Sequence, residues 1–66
     1  MKNSEKEFYR GFSSAIADLI RFYDEPSVAI GIMSANGIDL KTLENSQIDF
    51  MDFKIIKKHY EQETHK

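Results

Sequence analysis

The chain has 66 residues, a length that predicts one small domain. Nine residues are basic and eleven are acidic, which gives a formal charge of −2. This charge argues against a strongly basic nucleic-acid binder or a polybasic membrane anchor. Cysteine is absent, which excludes disulfide scaffolds, zinc ribbons, iron–sulfur sites and thiol nucleophiles. The hydrophobic content of 41% is too high for a disordered tail, and so short a chain needs either a very well packed core or a second chain.

The first predicted element is a long helix over residues 5–23. Ser4 and Glu7 stand at the spacing of a capping box, in which each side chain bonds the backbone amide of the other residue. Nine apolar residues fall within about 160° of a helical wheel drawn at about 100° per residue, and this arc is interpreted as the core face. They are Phe8, Tyr9, Phe12, Ala15, Ile16, Leu19, Ile20, Phe22 and Tyr23. The helix is expected to end before Pro26, because the residue preceding a proline avoids helical backbone angles.

Residues 26–36 allow two interpretations. Val28–Met33 followed by Asn36 and Gly37 can be a strand that enters a type I′ hairpin. It can also be a helix that ends in a Schellman motif, with Gly37 in the left-handed conformation and Ile38 in contact with Met33. Capping chemistry favours the helix, which is predicted to be buried nearly all round and to form the centre of the fold.

Two further helices are expected in the second half of the chain. Asp39 is predicted to cap a helix over residues 40–45, and Asp49 is predicted to cap one over residues 50–62. The fold class that follows is all-α, because helical periodicity and capping signals account for every apolar segment.

The predicted architecture is a compact four-helix domain. Its helices lie at about residues 5–23, 26–36, 40–45 and 50–62. Residues 1–66 form a single helical domain, and its two ends, residues 1–3 and 63–66, are expected to fray.

The last predicted helix displays more apolar surface than one small partner face can cover. Surplus apolar surface marks an interaction site, and a symmetric homodimer is the commonest way to bury it. The residues expected at this protein interface are Met51, Ile55, His59 and Tyr60.

Groups that could perform catalysis or hold a metal are sparse. A metal site can be drawn from Asp52, His59 and Glu63 on one side of the last helix, but an interface role for His59 beside solvated acids is favoured. Ser13 and Ser14 lack a histidine partner at a recognisable spacing, and the three glycines form no phosphate-binding loop. The chain is therefore expected to be no enzyme and to use no cofactor or metal.

A helix-turn-helix is the alternative reading, with residues 35–38 as the turn between the second and third helices. The candidate recognition helix, residues 40–45, carries one base and one acid. Since phosphate contacts by Lys and Arg supply most of the affinity for DNA, nucleic-acid binding is not expected. If DNA binding were found, Arg10, Lys57 and Lys58 would be the residues to test.

Four segments carry a resemblance to a known group of proteins. They are Glu7–Phe12, Ala15–Leu19, Tyr23–Ser27 and Ile48–Phe53. Over residues 7–58 the chain resembles short, mostly uncharacterised helical proteins encoded by bacteriophages and prophages of proteobacteria. The resemblance implies a genomic setting in which small proteins often act by binding and blocking host machinery, including restriction or CRISPR defences, and it implies no catalytic or binding residue.

The expected function is protein–protein contact by a non-enzymatic helical module that forms a homodimer. A host protein is the expected target if the chain is phage-encoded, and a small helix-turn-helix regulator is the alternative. The first residues are charged and carry no apolar signal region, and the longest apolar stretch is too short for a membrane span. A cytoplasmic location without membrane association is therefore expected, in the host cell if the chain is phage-encoded.

Overall fold

The computed structural model describes residues 3–64, which form four α-helices. These are α1 (Asn3–Arg21), α2 (Pro26–Ala35), α3 (Leu40–Asn45) and α4 (Phe50–Thr64). The described part of the chain contains no β-strand, so the predicted all-α fold class is confirmed. The hairpin interpretation of the residues that follow Pro26 is excluded.

The ends of the longest helices differ from the predicted bounds. α1 begins at Asn3, which places Ser4 inside the first turn instead of at the N-cap, so the predicted capping box is wrong. α1 ends at Arg21, because Asp24 has a φ of 51° and the left-handed conformation cannot continue the helix. α4 continues beyond the predicted end, to Thr64.

The predicted fraying falls partly on residues that the structure places in helices. Asn3 belongs to α1, and Glu63 and Thr64 belong to α4. The Ser27 hydroxyl donates to Oε1 of Glu63 at 2.9 Å, which joins the start of α2 to the last turn of α4. Residues 1–2 and 65–66 lie outside the described residues.

α2 ends in the Schellman motif predicted around Gly37. Gly37 has a φ of 66°, and its N–H donates to the carbonyl of Ser34 at 3.1 Å. The N–H of Ile38 donates to the carbonyl of Met33 at 2.9 Å, and both side chains are buried in the core. Glycine suits this position because the left-handed conformation costs a residue with a Cβ about 1–2 kcal/mol.

Asp39 and Asp49 cap α3 and α4, as predicted. One carboxylate oxygen of Asp39 accepts from the N–H of Thr42 at 2.9 Å and from its hydroxyl at 2.8 Å. The bond from the Thr42 backbone is the main cause that holds the pKa of Asp39 below its usual range. Asp49 accepts from the N–H of Met51 at 2.9 Å. Both caps satisfy amides that the first turn of a helix leaves unpaired.

The core is shared among all the helices and the turn after α2. Its buried apolar residues are Ile16, Ala17, Ile20, Ala29, Ile30, Met33, Ile38, Leu43 and Ile56. α4 packs against α1, α2 and α3, whereas α1 packs mainly against α2 and α4. The helix at the centre of the fold is therefore α4, and the central role predicted for α2 is wrong.

α2 is buried on one side only. Its buried residues are Ala29, Ile30 and Met33. Val28 and Ile32 are exposed, and a Cβ placed on Gly31 would meet nothing within 4 Å. The predictions of burial nearly all round and of close approach at the small residues are therefore wrong, because no other described element covers this side.

On a helical wheel drawn at about 100° per residue, the centre of the buried face of α1 lies about 90° around the helix axis from the centre of the predicted apolar arc. Its buried residues are Ser13, Ile16, Ala17 and Ile20. Because Ser13 and Ala17 are small and fully buried, neighbouring elements pack close to the helix axis there. The aromatic side of the arc stays outside, with Phe8 58% and Phe22 73% exposed. The interpretation of the whole arc as core is therefore wrong on that side.

We expect Ser13→Ala to stabilise the protein. Ser13 Oγ is buried and has no hydrogen-bond partner among the described residues. An unsatisfied buried polar group costs about 1–3 kcal/mol, and alanine also has the higher helix propensity. The free energy of unfolding, measured by urea denaturation, should therefore rise by about 1 kcal/mol or more.

The neighbouring Ser14 provides the control, because it lies on the same helix but is exposed. Ser14→Ala should change the free energy of unfolding by no more than the propensity difference, about 0.5 kcal/mol. Equal effects of the two substitutions would show that the buried hydroxyl carries no penalty.

Candidate protein interaction surfaces

A row of apolar side chains follows the outer side of α1 and ends one residue beyond it. We name this row the α1 seam; its members are Phe8, Phe12, Ala15, Leu19 and Phe22. Successive members are four, three, four and three residues apart, which is the spacing of the contact positions of a coiled coil. Phe12 and Leu19 are half-buried and pack partly against the core, while the other three members are exposed.

Ring contacts order both ends of the α1 seam. The rings of Phe8 and Phe12 stack with their centroids 6.0 Å apart and 20° between their planes. Tyr9 meets Phe8 edge-on at 5.2 Å, and the Arg21 guanidinium lies 5.9 Å from the centroid of the Phe22 ring. Side chains ordered before binding lose less conformational freedom on binding. These contacts favour one arrangement of the rings of Phe8 and Phe22, which reduces the freedom that these side chains would lose on binding.

A second surface lies where the end of α1 meets the first half of α4. It is a groove with a cavity volume of about 310 Å³, which we name the α4 groove. Its lining residues are Arg21, Met51, Lys54, Ile55 and Lys58. Met51 and Ile55 are apolar and the three others are cationic, so the groove combines an apolar lining with positive charge.

Arg21 ties the two helices of the α4 groove together. Its Nη2 donates to Oδ1 of Asp52 at 2.8 Å and to Oδ1 of Asp18 at 3.2 Å. The bond to the buried Asp52 is the largest cause that raises the pKa of Arg21. Sequence reasoning missed this pair, although a base in the last turn of α1 and an acid in the first turn of α4 both suit the helix dipoles.

The two lysines of the α4 groove keep their charge available to a partner. Within residues 3–64 the ion pairs are those of Arg21 with Asp18 and with Asp52. Lys54 and Lys58 thus have no carboxylate oxygen of that part of the chain within 4.0 Å. An anionic group that entered the groove would meet two unpaired ammonium groups.

The structure brings together only part of the interface predicted on the last helix. Met51 and Ile55 line the α4 groove, and Ile55 also packs against the core. His59 and Tyr60 are half-buried and lie outside the groove lining. Tyr60 packs against the core as well, so α4 exposes less apolar surface than its sequence predicted.

The three residues named for testing if DNA binding were found are all exposed, on two helices. Lys58 lines the α4 groove, Lys57 lies beside it in sequence but outside the lining, and Arg10 lies on α1. The order of α2, turn and α3 fits the helix-turn-helix alternative, but α3 has only six residues and Lys41 is its single base.

Two other kinds of site are missing from the described part of the chain. The acids considered for a metal have other partners, since Asp52 bonds Arg21 and Glu63 accepts from Ser27. Among residues 3–64 no group of three or more His, Cys, Asp or Glu side chains is placed to hold a metal ion. None of the helices described combines the length and the apolar character that crossing a bilayer requires.

No family model, curated protein or solved structure matches this chain. A fold class by itself specifies no activity, so function has to be argued from the surfaces. The α1 seam and the α4 groove are two surfaces of the described residues that combine exposed apolar groups with a regular arrangement.

Proposed function

We propose that this chain is a non-enzymatic helical module that acts by protein–protein contact, and that two copies associate through the α1 seam. The observation that supports this proposal is the coiled-coil spacing of five apolar residues whose terminal members, Phe8 and Phe22, are largely exposed. In coiled coils, a row of apolar side chains with this spacing packs against the matching row of another helix. Contiguous exposed apolar surface marks binding sites in folded proteins.

The α1 seam suits a second copy of the chain because it is apolar at all five contact positions. A two-fold interface places the same patch on both partners, so an uncharged patch can face itself without repulsion. Residues 8–22 extend over about 21 Å at about 1.5 Å per residue, or roughly four turns. Association would also bury further apolar area, which would add to the stability of a short chain.

The α4 surface predicted for self-association suits a symmetric contact less well. A two-fold interface centred on Met51 and Ile55 would place Arg21, Lys54 and Lys58 near their counterparts in the other copy. Like charges that face each other across an interface oppose association. The homodimer is therefore proposed at the α1 seam, and the α4 groove is left to a different partner.

A host protein is the proposed target of the module, and the host cytoplasm is the proposed place of action. The support is the resemblance of residues 7–58 to small phage and prophage proteins, which implies inhibition of host machinery such as defence systems. A second binding surface beside the α1 seam fits such a role, because a dimer would then present two copies of it. The host target and the location are proposed by analogy.

Self-association is tested by sedimentation equilibrium of the full chain and of Phe8→Gln. Phe8 is exposed in the single chain, so its replacement should leave the helical circular dichroism nearly unchanged and should lower the melting temperature only at concentrations where the dimer forms. The substitution removes two buried aromatic side chains from each dimer, which weakens the hydrophobic contribution to the binding free energy. A loss of about 1.4 kcal/mol of binding free energy raises Kd tenfold. We expect the dissociation constant of the dimer to rise about tenfold or more.

Phe50→Gln is the matched control, because Phe50 is 72% exposed but lies off the α1 seam. Its dissociation constant should equal that of the unsubstituted chain. A chain that remains monomeric at every accessible concentration, or equal weakening by both substitutions, would overturn the proposed dimer.

A further inference from the structure

We infer that the α4 groove binds an acidic amphipathic helix of another protein, whose apolar side chain lies against Met51 and Ile55 while its carboxylates pair with Lys54 and Lys58. This site shares no residue with the α1 seam, although Arg21 of the groove lies 5.9 Å from the centroid of the Phe22 ring at the end of that seam. The inference rests on the shape, size and charge of the groove.

The shape of the site is that of a helix face. Met51, Lys54, Ile55 and Lys58 occupy positions i, i+3, i+4 and i+7 of α4, which share one side of a helix over two turns. The end of α1 forms the other wall through Arg21, which is held in place by Asp52 at 2.8 Å. A surface bounded by two helices is the form of site that takes a third helix as ligand.

The size of the site is sufficient for one anchoring side chain of a partner helix. The groove volume of about 310 Å³ lies at the lower end of the range of about 300–1,000 Å³ found for ligand pockets. Met51 is flexible and polarizable, so it adapts to side chains of different shape. A leucine, methionine or phenylalanine of a partner helix would fill the space between Met51 and Ile55.

The charge of the site selects an acidic partner. The chain as a whole has a formal charge of −2, yet the groove lining holds three cations and no acid. Asp18 and Asp52 are both paired with Arg21, so these two acids and the three cations of the groove together carry a net charge of +1. Because Lys54 and Lys58 lack a carboxylate partner within residues 3–64, carboxylates of a ligand would supply the missing partners.

A protein segment fits this combination better than other anions do. A nucleic acid offers phosphates but no apolar side chain for the space between Met51 and Ile55. A bilayer surface is flat on the scale of the protein, whereas the groove is concave. A second copy of the same groove would place its cations opposite these cations.

The test uses the full chain and synthetic helical peptides, with binding followed by NMR chemical shifts and by fluorescence anisotropy. The probe peptide carries one phenylalanine flanked on the same face by glutamates, and its control carries glutamines in their place. We expect the acidic peptide to shift the resonances of Met51, Lys54 and Ile55 and to bind about tenfold more tightly than the neutral peptide. Added salt should weaken binding of the acidic peptide, since the charged groups are near the surface.

Two neighbouring lysines provide matched variants. Lys58 lines the groove and Lys57 does not, although both are exposed residues of α4. Lys58→Gln should weaken binding of the acidic peptide about fivefold, the size expected for one exposed ion pair of about 1 kcal/mol. Lys57→Gln should leave the affinity unchanged.

Several results would overturn the inference. One is the absence of chemical-shift changes at the groove with millimolar acidic peptide, and another is equal affinity for the acidic and neutral peptides. Equal effects of the two lysine substitutions would also overturn it. So would binding of duplex DNA, or of vesicles of anionic phospholipid, that is tighter than binding of the acidic peptide. Phe8→Gln should leave peptide binding unchanged, because Phe8 is not among the groove residues. Failure of peptide binding and failure of self-association are therefore separate results.

Discussion

Ile56→Ala should lower the free energy of unfolding by about 2–5 kcal/mol, the range observed for truncation of a fully buried isoleucine. Ile56 is 0% exposed and lies on α4, the helix that packs against all three others. Its truncation would leave a cavity at the centre of the core, because the surrounding helices cannot all move inward together. Urea denaturation followed by far-ultraviolet circular dichroism measures the change.

The size of this effect is large relative to the whole stability of the chain. At about 0.05–0.15 kcal/mol per residue, a chain of this length is stable by roughly 3–10 kcal/mol. We therefore expect Ile56→Ala to have a markedly lower melting temperature and a partly unfolded population at physiological temperature.

Ile32→Ala is the matched control, since it removes the same atoms from an exposed position of α2. Ile32 is 36% exposed, and alanine has the higher helix propensity. We expect a change of less than about 1 kcal/mol. Similar losses for the two substitutions would show that Ile56 is not at the centre of the core.

Asp52→Asn should lower the free energy of unfolding by about 1–2 kcal/mol, at the lower end of the range for a hydrogen bond to a charged group. The substitution keeps the size of the side chain but removes the negative charge that faces Arg21 at 2.8 Å. The contribution of this hydrogen bond lies at the lower end of that range because the Arg21 side chain is 34% exposed and water screens part of the interaction. Asp52 also lies in the first turn of α4, where a negative charge is favourable.

Asp18→Asn is the natural comparison, because Asp18 bonds the same guanidinium but from within α1 and at 3.2 Å. A pair three residues apart on one exposed helix surface contributes about 0.2–0.5 kcal/mol. Double-mutant cycles of each acid with Arg21→Gln separate the pairwise energies from other effects of the substitutions. A coupling energy for Asp52 no greater than that for Asp18 would contradict the role assigned to Asp52.

The pair of Arg21 and Asp52 also connects stability with the proposed binding site. It joins the last turn of α1 to the first turn of α4, and these two helices form the walls of the α4 groove. Asp52→Asn should therefore loosen the contact between the two groove walls, whereas Asp18→Asn, which removes a bond within α1, should not. Dimerisation through the α1 seam is a separate property with its own variant, Phe8→Gln.

The local architecture of this protein follows from its sequence. The Schellman motif at Gly37 and the caps at Asp39 and Asp49 are formed by hydrogen bonds between residues that lie within five positions of each other. Such motifs depend on the conformational preferences of a few residues and need no knowledge of the rest of the chain. For this reason the order of four helices and the starts of α2, α3 and α4 could be predicted.

Tertiary packing decided which faces of those helices became core. Ser13 and Ala17 form part of the buried face of α1, but their small side chains contribute little to a hydrophobic pattern, so the apolar arc placed Phe8 and Phe22 inside. Arg21 and Asp52 are 31 residues apart, and their contact depends on the packing of α1 against α4. The α1 seam exists because close packing at Ser13 and Ala17 turned larger apolar side chains of that helix outward.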